Sequence, residues 1–253
     1  MKQRTKKLCK FMVIILAAML TIGWAGIATA VELQAGVDTN FVLDRDIKIK
    51  AGGTDVKAST SAQYYDVTTI IKLGDIVKLI PKIGINTFQV NGKDKIDNIN
   101  VDSDVGWNVG LDAEVAVAQT KYADLSAIGS YRYSRAEVDN VDIFGASFTN
   151  PLRNTIALNE YEIGGKVSKN IADLLPNSGV KSLTPYVGIV YSDLIGTVET
   201  KGLTPNFKGD IEAENNVGLR LGLACEPIQN LLISVDGKLI DQTAIGGKVT
   251  YKF

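Results

Sequence analysis

From about residue 31 onward, apolar residues recur at every second position, in runs separated by polar breaks. The clearest run places Val105, Trp107, Val109, Leu111, Ala113, Val115 and Val117 on one side. Gly106, Asn108, Gly110, Asp112, Glu114 and Ala116 fall on the other. A period of two is the signature of a strand with one apolar face. The same alternation runs through 217–225, 231–239 and 245–253, and more weakly through 33–41 and 65–73. Residues 78–91, 123–137, 155–169 and 183–199 also read as strands, with less definite facing. The pattern therefore predicts ten strands, at 32–47, 61–74, 78–91, 104–118, 123–137, 155–169, 183–199, 213–226, 229–240 and 244–253.

The predicted connections mostly alternate in length. Those at 74–75, 120–122 and 227–230 are short, whereas 92–103, 138–154 and 200–212 are longer and polar. The connections at 170–182 and 241–243 break the rule. Leu79-Ile80-Pro81-Lys82-Ile83-Gly84-Ile85 is echoed by Leu183-Thr184-Pro185-Tyr186-Val187-Gly188-Ile189. One echo does not make a repeat protein.

The first thirty residues follow a different rule. Lys2, Arg4, Lys6, Lys7 and Lys10 precede an apolar run over 11–27, and Ala28-Thr29-Ala30 ends it. A basic start, an apolar middle and a small-x-small end make a secretory signal peptide, cleaved after residue 30. The rival reading is a membrane anchor at the short limit of a span. The expected mature domain is 31–253. Without the leader it carries 22 bases against 28 acids, which argues against a nucleic-acid partner. It keeps one cysteine, Cys225, and so no internal disulfide.

Alternation alone does not say which face is inside. A soluble barrel hides its apolar face, and a membrane barrel shows it to lipid. The polar face gathers Asp38, Asp66, Asp112, Glu114, Glu160, Glu162 and Asp236. With them lie Lys72, Lys82, Arg132, Lys166, Arg220, Lys238 and Lys248. This balanced set suits a wet, ion-paired lumen. Phe41, Tyr65, Trp107, Tyr131 and Tyr133 cluster toward one end of their strands, and Tyr251 and Phe253 toward the other, as two interfacial girdles would. Several strands also exceed the 9–11 residues, or thereabouts, that a tilted span needs.

The ending Ile245-Gly246-Gly247-Lys248-Val249-Thr250-Tyr251-Lys252-Phe253 resembles the C-terminal assembly signal of bacterial outer-membrane β-barrels. In it a terminal aromatic follows apolar residues at alternate positions, here Val249, Tyr251 and Phe253. With the leader, the mature chain resembles the small outer-membrane, porin-like barrels of Gram-negative envelopes. The resemblance implies an all-β fold: a closed antiparallel up-and-down transmembrane β-barrel of ten strands, with eight as the alternative. It implies outer-membrane lipid and the barrel assembly machinery as partners, periplasmic termini, and 92–103, 138–154 and 200–212 outside the cell.

Little points to chemistry. The chain has no His, so the His-dependent sites of the family's proteases, lipases, deacylases and palmitoyl transferases cannot be carried over. Asp112/Glu114 and Glu160/Glu162 share strand faces as a two-carboxylate mechanism would need. Pairing with Arg132, Arg220 or Lys166 is the simpler reading. Asp97, Asn98, Asn100, Asp102 and Asp104 form an oxygen-rich loop, a weak cation candidate without the EF-hand glycine. Residues 141–152 are apolar for a loop, and read as a strand extension above the membrane or as a lid. Cys225 reads as a lipid-facing hydrophobe.

No cofactor is expected. The expected function is a non-enzymatic structural or surface-interaction barrel with a charge-paired lumen. A narrow channel for small solutes is the alternative, lined by Asp112, Glu114, Arg132, Glu160, Glu162, Lys166, Arg220, Asp236, Lys238 and Lys248. A soluble secreted ligand-binding barrel is the minor one.

Overall fold

The computed structural model describes residues 31–253 apart from 52–53, 93–98, 144–145, 150–153, 175–178 and 201–206. Thirteen antiparallel strands run up and down in chain order: β1 Val31–Ala51, β2 Thr54–Leu73, β3 Val77–Gly92, β4 Ile99–Ser103, β5 Gly106–Gln119, β6 Asp124–Ile143, β7 Ala146–Thr149, β8 Thr155–Ser168, β9 Ser182–Thr200, β10 Phe207–Ala213, β11 Val217–Ile228, β12 Leu231–Leu239 and β13 Thr243–Lys252. A short 3-10 turn, Ala172–Leu174, lies between β8 and β9. Three pairs lie end to end in the wall, β4 with β5, β7 with β8 and β10 with β11. The wall therefore has ten staves. It closes where β13 pairs antiparallel with β1, from Gln34 opposite Lys252 to Asp44 opposite Thr243. Among the described residues closure leaves no edge strand at the level of the apolar band, as a membrane-spanning sheet requires; above it β7 pairs with β6 alone. The register climbs by about twelve residues per circuit, and that stagger tilts the staves.

Ten is the stave number only at the end that carries the short turns 74–76, 120–123 and 229–230. The β12–β13 hairpin is short. Beyond its tip, β1 pairs directly with β10, Ile47 opposite Ala213 and Lys50 opposite Asp210. At this hairpin end the wall has eight staves. Removing two staves of about 4.8 Å each narrows the ring. The ten staves expected from the sequence thus stand at the level of the apolar band, and the eight at the hairpin end arise from the short β12–β13 hairpin.

The two heights have opposite polarity. Toward the turn end the outer face is apolar: Val37, Val67, Ile83, Val109, Ile163, Ile189, Leu221, Val235 and Val249 are all exposed. The inner face there carries Gln34, Asp66, Thr68, Asn108, Glu162 and Thr250, all buried. Toward the hairpin end the lumen is filled by one apolar cluster that includes Val42, Ile47, Ile49, Tyr64, Phe88, Val90, Val138, Ile156, Leu158, Leu194, Val198 and Ile211. The outer face opposite it is charged. Lys48 and Lys57 meet Glu214, Lys50 meets Glu212 and Lys208 meets Glu199.

Irregularities in the wall produce part of this inversion. Between Val42 and Arg45 the register of β1 shifts by one against both β2 and β13. A bulge of this kind moves every later side chain to the other face. Below it Gln34 and Val42 point inward, and above it Arg45, Ile47 and Ile49 do. The breaks at 104–105 and 214–216 act likewise. Val101 and Ile211 are buried at odd positions, and Asn108 and Gly218 at even positions further along the same staves.

The expected facing holds below these points, and a single facing along whole strands does not hold above them. The expected long loops are also corrected. Residues 48–51 and 54–60, read as a connection, belong to β1 and β2. Residues 99–103, 138–143, 146–149 and 207–212 continue the wall as well. Each rising stave finds backbone partners in its hairpin neighbour, so pairing continues beyond the apolar band.

The two faces should respond differently to charge. Val235→Arg, at mid-height on the lipid face, should lower folding stability by about 2–4 kcal/mol. Glu212→Lys, on the charged outer wall, should cost under about 1 kcal/mol. Reversible urea unfolding in lipid vesicles measures both, and equal costs would refute the assigned band. Ile47→Ala, in the sealed upper lumen, should cost about 2–5 kcal/mol in the same assay.

Candidate functional site

The lumen below the apolar cluster is the candidate site. It exists because β1–β3, β5, β6, β8, β9 and β11–β13 all present polar side chains inward at alternate positions. The layer nearest the apolar cluster is made by arginines. Arg132 Nη2 donates to Asp66 Oδ2 at 2.9 Å, and its guanidinium lies 4.0 Å from the Tyr64 ring centre. Tyr64 in turn packs edge-on against Phe88, with ring centres 6.0 Å apart. Arg45 Nη1 donates to Glu160 Oε1 at 3.4 Å and Arg45 Nη2 to Ser192 Oγ at 3.2 Å. Ser192 Oγ donates to the Asp241 carboxylate. Asp241 belongs to the β12–β13 turn, which tucks into the lumen, and Gly218 clears space for it: a Cβ there would collide with that carboxylate.

Below this layer the charges pair across the lumen. Lys82 Nζ lies 3.0 Å from Asp38 and 2.7 Å from Asp112. Glu162, 7% exposed, takes Arg220 at 3.2 Å and Lys238 on its other oxygen. Arg220 also reaches Asp236 at 3.3 Å. Glu114 accepts from Lys166 at 2.5 Å and lies 3.7 Å from Lys78. Tyr186 lies across Gly222, where any side chain would displace the ring. Open space of about 310 Å³ remains beneath, bordered by Lys78, Glu114, Lys166, Tyr186 and Lys248. A smaller space of about 60 Å³ lies beside Arg132.

All ten residues expected in the lumen cluster point into the lumen or border its open space. The two carboxylate pairs do not act as pairs. Asp112 and Glu114 go to different lysines, and Glu160 and Glu162 to different cations. Arg45 and Asp241 belong to the site and escaped the sequence reading. Arg45 sits past the β1 bulge, and Asp241 lies in a turn. A Ser, Asp or Gln beside a turn carries no signal for facing.

Phe41 and Tyr65 meet edge-on with ring centres 5.9 Å apart, Trp107 and Tyr133 lie 5.4 Å apart, and Tyr131 lies 5.2 Å from Tyr161. They form a belt on the outer wall, which exposed Tyr191 extends. Val249, Tyr251 and Phe253 are exposed on the same face at the turn end, with Tyr251 and Phe253 5.5 Å apart.

In the oxygen-rich segment, Asp97 and Asn98 lie outside the described residues. Asn100 and Asp102 are not in a loop. They stand in β4, opposite Asn91 and Gln89 of β3. Among the described residues no group of acids, His or Cys is placed to hold a metal ion. Of 141–152, residues 141–143 and 146–149 are strand, as the extension reading expects, and 144–145 and 150–152 lie outside the described residues. Cys225 is a free, half-buried thiol. On the outer wall above the apolar band, the hydrogen bond from Lys57 holds the Glu214 carboxyl below the usual carboxylate range. Glu199 raises the Lys208 ammonium.

No protein-family model matches the chain, and no curated protein matches it in sequence. Among solved structures it is similar to the translocator domain of the autotransporter NalP from Neisseria meningitidis. That likeness has 14% identity and a TM-score of 0.49, over 95% of this chain and 96% of that one. It is also similar to the outer membrane protease OmpT from Escherichia coli, at 9% identity and a TM-score of 0.49 over 88% and 97% of the two chains. The outer membrane protein OprG from Pseudomonas aeruginosa gives 12% identity and a TM-score of 0.41 over 88% and 95%. The closed ring and its outward apolar band make this chain a β-barrel of the outer-membrane type.

Asp66 has a demanding position among the lumen acids, since its side chain is fully buried against Arg132. Arg132→Met should leave Asp66 without its cation, while Glu160 keeps Arg45, and cost about 3–5 kcal/mol of folding stability. The double variant Arg132→Met/Asp66→Leu should recover part of that loss. No recovery in urea unfolding would show that the pair is not the unit.

Proposed function

We propose that the chain is a non-enzymatic barrel of a bacterial outer membrane, closed to solutes, whose role is structural or surface-interacting. The observation that carries this reading is the apolar cluster that fills the eight-stave part of the lumen. An interior of about eight staves is just filled by side chains, whereas water channels belong to about 16–18. Tyr64, Phe88, Ile47, Ile156, Leu194 and Ile211 are each at most 2% exposed, which supports a seal at that level among the described residues. A narrow channel would need its constriction lined by the charges below, yet those charges end at the Arg132–Tyr64 layer.

In this reading residues 1–30 export the chain, and the barrel assembly machinery reads Val249, Tyr251 and Phe253. The short turns, Val31 and Phe253 lie in the periplasm. The charged outer wall above the aromatic belt then rises on the cell surface, where contacts with partners are made. The absence of His throughout the chain supports the non-enzymatic part, because an imidazole base is unavailable.

Planar-bilayer recording on the purified chain tests closure. Wild type should show no stable conductance steps. Truncating the seal by Ile47→Ala, Phe88→Ala and Leu194→Ala together should open steps whose ion selectivity changes on adding Arg220→Glu. Stable steps from wild type, altered by Arg220→Glu alone, would replace this reading with the channel.

A further inference from the structure

We propose that the lower lumen is a blind pocket that binds a small organic monoanion: a carboxylate carried on a compact apolar body. Among the described residues the Arg132–Tyr64 layer and the apolar cluster lie above the pocket, so it opens toward the turn end. Its volume of about 310 Å³ reaches the low end of small-molecule sites and equals the share of about ten waters in the liquid.

The charge inventory gives the sign of the ligand. Toward the opening, Lys78 and Lys166 divide the single carboxylate of Glu114. Lys248 has no ion pair among the described residues. Asp38 stands opposite it in the β1–β13 register, but gives its carboxylate to Lys82. Higher up, Lys82 carries Asp38 and Asp112, while Arg220 and Lys238 match Glu162 and Asp236. The five bases and five acids that line the space are unevenly placed, since Lys78, Lys166 and Lys248 face the single carboxylate of Glu114, whereas Lys82 and Arg220 share the other four acids. A confined ammonium without a counter-charge is costly, and an anion there relieves that cost.

The walls give the rest of the ligand. Ile70, Ile80, Ile128 and Leu232 line the same space, with Ile70, Ile80 and Ile128 buried, although most inward positions of the lower wall are polar. An inorganic anion would use the lysines and leave this apolar surface wet. A carboxylate on a ring-sized apolar group uses both. Thr184, Ser234 and Tyr186 add hydroxyl groups within the same lining.

The test is fluorine NMR on the full chain purified from membranes in a non-ionic detergent. The probes are para-trifluoromethylbenzoate and its neutral isostere para-trifluoromethylbenzamide, with empty micelles as the blank. The benzoate signal should shift saturably beyond the blank while the benzamide signal does not. Lys248→Met should weaken benzoate binding at least tenfold, Lys78→Gln should weaken it too, and Lys57→Gln on the outer wall should leave it unchanged. Folding of each variant is checked by its heat-modifiable gel shift. The comparison of the two probes on wild type stands whether or not the variants fold. Equal binding of both probes, no saturable shift, or a folded Lys248→Met of unchanged affinity would overturn the proposal. Because conductance is not read, the outcome is separate from the test of closure.

Discussion

Side chains alternate across a strand, so in a closed wall each position faces either the lumen or the surroundings, and one inserted residue exchanges the two for everything beyond it. Closure removes the freedom to slide, because each stave is registered on both sides. The bulge between Val42 and Arg45 therefore does more than bend β1. It lets Leu33, Val37 and Phe41 face outward while Ile47 and Ile49, at positions of the same parity, face inward. The apolar pattern resumes in the same parity after Arg45, and the wall turns beneath it.

That is also why the sequence was legible only in part. Ten staves, the lipid face, the aromatic belt and the inward charges follow from alternation and can be read from Trp107, Val235, Asp112 or Glu162. The inversion at the hairpin end was hidden in β1, because the apolar residues keep the same parity on both sides of Arg45. On β2 it was visible in principle. Apolar residues there pass from odd positions, Val67 and Ile71, to even ones, Tyr64, Ala62 and Ala58. That switch acquires a meaning only once the height at which the apolar band ends is fixed, and the neighbouring staves fix it. Polar hairpin segments such as 48–60 look like loops for a related reason. Above the band their outward residues are charged, and charge is what a loop also shows. Residues such as Arg45 and Asp241 are defined by what lies across the lumen, and no local spacing encodes that.

The two halves of the lumen reflect two solutions to one filling problem. Where the ring is narrow, apolar side chains of ordinary size meet at the axis and exclude water. Where two more staves widen it, side chains do not reach one another by packing alone, and long lysines and arginines span the distance to acids on opposite staves. Breaking one such contact strands its partner, so the pairs fix relative stave positions more than they add stability. The boundary is the Tyr64–Arg132 contact, where one ring belongs to the packing above and one guanidinium to the charges below.

The short β12–β13 hairpin gives the seam of the ring a particular form. β1 is held by β10 above and by β13 below, across sequence distances that span most of the chain. Without the hairpin, the ring would still be joined at its narrow end and would gape below by the width of two staves. The hairpin is thus a keystone. It fits a gap whose sides the rest of the wall sets, and its inward tip meets Ser192 when it is fully seated.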